Sequence, residues 1–130
     1  MGLLLMLRPP QPHPKSLRRA TRAQRREHRR TDVEEWETAQ RKGRLLEIDV
    51  ETLLPLVNSA GGTRLPVLGQ LAPWSDAVLD HHDAPRLEAD LDRLAAVAGD
   101  DAQRALVAAM RKLLTAWRAE PDLLLHWYGD

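Results

Sequence analysis

Along residues 44–50, RLLEIDV, the apolar residues Leu46, Ile48 and Val50 alternate with Glu47 and Asp49, the period-two pattern of a half-buried strand. The polar turn Gln40-Arg41-Lys42-Gly43 precedes it, with VEEWETA (33–39) before that, so the pattern predicts a β-hairpin with Gly43 at its turn. Asp49 then caps a short helix over VETLLPLV, limited by Pro55 and the following Asn-Ser-Ala-Gly-Gly stretch. Residues 58–79 show no clear period. Their glycines and prolines predict a long loop, and Leu65, Val67, Leu68, Leu71 and Trp74 require it to pack on its own core or on a partner.

Two helices follow. Asp83 is the expected N-cap of the first, with Pro85 in its first turn and Leu87, Leu91, Leu94 and Val97 on one face; Gly99 ends it. Asp100 or Asp101 caps the second, where Leu106, Met110, Leu113, Leu114 and Trp117 keep helical spacing until Pro121. The short link makes the pair an antiparallel hairpin. The closing DLLLHWYGD reads as a strand, with Leu123, Leu125 and Trp127 on one face and Leu124, His126 and Tyr128 on the other. The predicted class is α+β, in the order β-β-α-loop-α-α-β: a small antiparallel sheet (N-terminal hairpin plus C-terminal strand) packed on an α-helical hairpin.

Charge divides the chain. Residues 1–31 hold nine Lys/Arg against one acid, a balance of +8, and residues 32–130 hold ten against eighteen, a balance of −8. The division predicts a basic arm, 1–31, on one acidic domain, 32–130. Four prolines in RPPQPHP (8–14) favour extended, solvated chain. Residues 15–30 have helix propensity and a stripe at Arg18, Arg22, Arg25 and Arg29. Leu17 is their only large apolar residue and like charges adjoin, so the arm is expected to be disordered alone.

Leu3 to Leu7 form an apolar run of only five residues with the charges after it, unlike a secretory signal. No stretch is long enough to span a bilayer, so a cytoplasmic protein without membrane partners is expected. With no cysteine there is no disulfide framework, thiolate metal site or Cys nucleophile. The excess of Arg over Lys fits the codon bias of a GC-rich bacterial genome.

The run GTRLPVLGQLAPWSDAVLD, the two helices and the closing LLLHWYGD resemble small actinobacterial proteins with a Leu-Pro-Val-Leu-Gly loop and a terminal Gly-Asp. The resemblance covers roughly residues 45–130. It implies a fold but no activity, and leaves the arm outside, as a start of translation further downstream would.

Candidate chemistry is sparse, and no cofactor is expected. Asp80-His81-His82-Asp83 is the most chemical-looking segment, since Asp-His-His occurs in a class of metal-dependent phosphoesterases. No spaced partner motif completes a ligand set, and capping with solvated histidines is the simpler reading. His126 reads as a satisfied sheet histidine. Gly61-Gly62-Thr63-Arg64 lacks the strand, helix and Lys of a phosphate-binding loop.

Three functions are therefore carried forward. The first is a non-enzymatic protein-binding module, immunity-like or regulatory, using Glu34, Glu35, Glu37, Trp74 and Asp76. The second is a nucleic-acid binder acting through residues 15–30, with Arg18, Arg19, Arg22, Arg25, Arg26, Arg29 and Arg30 on phosphates. The third is a metal-dependent hydrolase using Asp80 to Asp83. For the arm itself two further readings stand beside phosphate binding: folding back on the acidic body, or a passive tail.

Overall fold

The computed structural model describes residues 2–11, 19–71 and 75–129. The chain runs β1 (Gly2–Arg8), α1 (Arg22–Lys42), β2 (Leu45–Asp49), α2 (Val50–Ala60), two short 3₁₀ turns (Gly62–Arg64 and Leu68–Gln70), β3 (Ala77–Leu79), α3 (Ala84–Val97), α4 (Asp101–Arg118) and β4 (Leu124–Tyr128). The fold is α+β, with one antiparallel sheet in the order β2-β1-β4-β3.

The alternation at Leu46 and Ile48 is that of β2, and the α3–α4 hairpin and the closing strand form as expected. The first strand does not. VEEWETA lies inside α1, and the partner of β2 is residues 2–8. Leu3 faces Ile48 and Leu5 faces Leu46, while on the other edge Leu5 faces Trp127 and Leu7 faces Leu125. A central strand is covered on both faces, so it reads as a continuous apolar run without alternation. The expected separation into a disordered arm and a domain beginning at residue 32 is thereby corrected: β1 is a central strand of the sheet.

Residues 33–39 are helical because their only large apolar residues, Val33 and Trp36, stand three apart, and the rest have helix propensity. The helix has its own stops. Thr21 and Gln24 form a capping box, with Thr21 Oγ1 accepting from Gln24 N (3.1 Å) and Gln24 Oε1 from Thr21 N (2.8 Å). Gly43 closes the other end at φ 68°, where a side chain would be strained.

One face of the sheet carries Leu3, Leu5, Leu7, Ile48, Leu125 and Trp127 into the main core with α2, α3 and α4. Asp49 and Asp100 cap α2 and α4 as expected, accepting from Glu51 N (3.0 Å) and Gln103 N (2.8 Å). The segment after α2 packs on its own core: Leu65, Val67 and Leu68 are buried. The carboxylate of Asp90 on α3, itself fully buried, holds this segment by accepting from Val67 N and Leu68 N, both at 2.9 Å. Gly69 is required there because a Cβ would come within 2.4 Å of the Gly62 carbonyl oxygen. By strand alternation the opposite face carries Met6, Arg8, His126 and Tyr128, and α1 docks on it.

Candidate nucleic-acid interface

α1 has 21 residues, a rod about 31 Å long. Only Ala39 of it is buried, so apolar packing does not hold it. The joint is electrostatic. Arg8 reaches from β1 with its side chain 8% exposed. It donates from Nε to Glu35 Oε2 (2.8 Å), from Nη2 to the same oxygen (2.5 Å) and to Asp32, and from Nη1 to Tyr128 Oη (3.0 Å). Gln11 completes the ring, accepting from Arg8 (2.9 Å) and donating to Glu35 (3.1 Å). Burial alone would lower the Arg8 pKa, but the bonds to Asp32, Tyr128 and Glu35 outweigh it and raise the pKa above its ordinary value. A buried cation with two carboxylates is compensated only while both elements stay together.

Beside this clamp lies His126, 3% exposed, its ring stacked on Tyr128 with centroids 5.8 Å apart. It hydrogen-bonds the backbone of Pro9, which has only a carbonyl to offer, while Nε2 is buried without a partner among the described residues. The bond therefore uses Nδ1–H. Burial first, and the nearby Arg8 charge second, push the His126 pKa below its ordinary value. The sequence reading of a satisfied sheet histidine is half right: one nitrogen is bonded and one is not.

At 100° per residue, the docked stripe of α1 is His28, Asp32, Glu35 and Ala39. A second stripe, about 110° around the helix, runs Arg22, Arg26, Arg29, Val33, Trp36. Its three arginines are exposed and have no carboxylate partner among the described residues; successive ones are about 6 and 4.5 Å apart along the axis. Val33 is 57% and Trp36 38% exposed. Arg30 flanks the stripe in an exposed pair with Glu27 (2.7 Å), and that bond raises its pKa. Arg19 is exposed just ahead of the helix, Arg25 lies between the two stripes, and Arg18 falls outside the described residues.

The expected protein-binding residues that are described differ in their surroundings. Glu34 and Glu37 are exposed on α1, but Glu35 is engaged by Arg8. Asp76 accepts from Gly129 N (3.0 Å) at the far end of the chain, and Trp74 lies outside the described residues. Leu53, Leu54, Val57, Leu68, Leu71 and Trp127 line an apolar cavity of about 340 Å³.

Asp80 to Asp83 close on themselves. Asp80 Oδ1 accepts from His82 N (2.9 Å) and Asp83 Oδ2 from Asp80 N (3.3 Å). Asp83 makes no capping bond to α3, because its own helical backbone (φ −80°, ψ −17°) aims the side chain back at the turn. His81 is not solvated: its ring packs on Trp117 at 5.0 Å, and its Nε2 and Trp117 Nε1 both lie within bonding distance of the Leu123 carbonyl, 3.0 and 2.8 Å. Among the described residues no group of three His, Cys, Asp or Glu could hold a metal ion.

Family models, curated proteins and solved structures were compared with the chain. None matches. Among the described residues no helix is long and apolar enough to cross a membrane. Arg8, His126, Tyr128 and Asp90 escape sequence reading because their roles depend on contacts 22 to 120 residues away. The α1 stripe is partly visible in the sequence as Arg22 and Arg29, and the Thr21-Arg22-Ala23-Gln24 capping signature marks the start of its helix.

Proposed function

We propose that this protein is a non-enzymatic nucleic-acid-binding module whose recognition element is α1. The observation that supports it most is the row Arg22, Arg26, Arg29: three exposed cations without carboxylate partners among the described residues, on a helix capped at both ends and fastened to the sheet by Arg8. A fixed row of guanidinium groups releases counterions from a phosphate backbone without the ordering cost of a disordered arm. The acidic domain behind it repels the same backbone and so confines contact to this helix.

The test is fluorescence anisotropy with a labelled oligonucleotide over a salt series, comparing wild type with Arg22→Ala/Arg26→Ala/Arg29→Ala. Loss of three phosphate contacts should reduce the slope of log K against log salt by about 2 to 3. These side chains are exposed, so the thermal melt should be little changed. Equal affinity and slope in the variant would remove the proposal.

A further inference from the structure

We infer that the ligand of α1 is single-stranded nucleic acid, with Trp36 stacking on an unpaired base; this rests on the reading of α1 as the phosphate-binding element. The three arginines are followed on the same stripe by Val33 and then Trp36, at steps of four, three, four and three residues. Two turns of helix, about 10 Å, separate Arg29 from Trp36. An indole is a costly residue to leave 38% exposed on an otherwise polar helix, and its neighbour Val33 is 57% exposed.

Charge complementarity selects a polyanion at one end of the stripe, and the apolar ring selects a partner with a flat unsaturated face at the other. An unpaired base on a phosphate backbone carries both; a duplex hides its base faces in the stack. The acids on α1 set the limit of the track. Glu37 stands one turn beyond Val33 and would repel a phosphate there, so a strand following the arginines meets Trp36 through a base. Arginine contacts then give affinity and indole stacking gives strandedness, with little dependence on sequence because every base has a π-face.

The experiment compares an oligothymidylate of about 20 nucleotides with a duplex of the same length, each titrated with wild type, Trp36→Ala, Trp36→Phe and the triple arginine variant. Trp36→Ala should weaken single-strand binding about tenfold and leave duplex binding and the single-strand salt slope unchanged. Trp36→Phe should retain most of the affinity. An acidic polyglutamate of matched charge should compete poorly in wild type and as well as the oligonucleotide in Trp36→Ala. Unchanged single-strand affinity in Trp36→Ala, equal losses on both ligands, or full competition by polyglutamate in wild type would each overturn the inference. If the arginine variant binds as wild type, the reading of α1 itself fails; if only Trp36 proves silent, the strandedness alone does.

Discussion

Arg8 and Glu35 form the joint between the sheet and α1: two nitrogens of one guanidinium converge on one carboxylate oxygen, at 2.8 and 2.5 Å, across 27 residues of sequence. Asp32 one turn earlier takes the same guanidinium, so the helix is gripped at two successive positions on its docked stripe. Breaking a buried pair from one side leaves a charge uncompensated, which is worse than removing both.

Glu35→Ala should therefore destabilise the domain by about 1–3 kcal/mol, Asp32 retaining part of the compensation. Arg8→Met, which removes the charge but keeps the bulk, should destabilise by less than Arg8→Ala. Chemical denaturation of the three variants gives the order. A nearly neutral Glu35→Ala would mean the clamp is a solvent-screened surface pair.

His126 makes stability depend on pH. Its folded pKa lies below its ordinary value, so the unfolded chain takes up the proton more readily. The sign follows: the full contribution is present above about pH 6.5, and stability falls as pH drops below that value toward the folded pKa, at up to about 1.4 kcal/mol per pH unit. Melting temperatures between pH 7.5 and 5 should fall more steeply for wild type than for His126→Phe. Parallel curves would show that carboxylates alone set the acid limb.

Gly69→Ala should cost about 2–3 kcal/mol, because the added methyl meets backbone, which cannot rotate away. Asp90→Ala should cost a similar amount through two stranded N–H groups, while Asp90→Asn keeps one oxygen for both. Hydrogen exchange at Val67 and Leu68 would separate the two causes: Asp90→Ala exposes these amides at once, and Gly69→Ala lowers protection more broadly.

Removing residues 1–31 should unfold the protein. It takes away the strand between β2 and β4 together with Leu3, Leu5 and Leu7, each of which is no more than 2% exposed. Losing even one such leucine costs about 2–5 kcal/mol, against a total of about 5–15 for a domain. A fragment 32–130 with a cooperative melt and dispersed amide spectrum would refute this.

The readable parts of the fold were those with local signals. Leu46 and Ile48 alternate because β2 has one wet face, and Asp100 precedes a helix with apolar spacing. The apolar run Leu3 to Leu7 was plain, but its meaning depends on β2 and β4 closing over both its edges. Charge misled at residue 31, because the balance changes sign in the middle of one helix, where Arg29 and Arg30 give way to Asp32, Glu34 and Glu35. Composition marks partners and solvent; it does not mark where an element stops. The stripe on α1 is legible in its arginines, whereas Trp36 sits in a helix and not in the strand that the pattern predicts.

The pairing of Leu4 with Tyr128 and of Leu7 with Leu125 also governs assembly at the ribosome. Of the strands of this sheet β1 is made before the others and β4 after them, so the middle of the sheet stays open until the strand at 124–128 has been synthesised. Over that interval an apolar ribbon, Leu3 to Leu7, waits without a second edge partner, and Arg8 lacks the Tyr128 hydroxyl. Closing the sheet thus requires its most sequence-distant pairing, the kind of contact that forms late and leaves apolar strands open meanwhile.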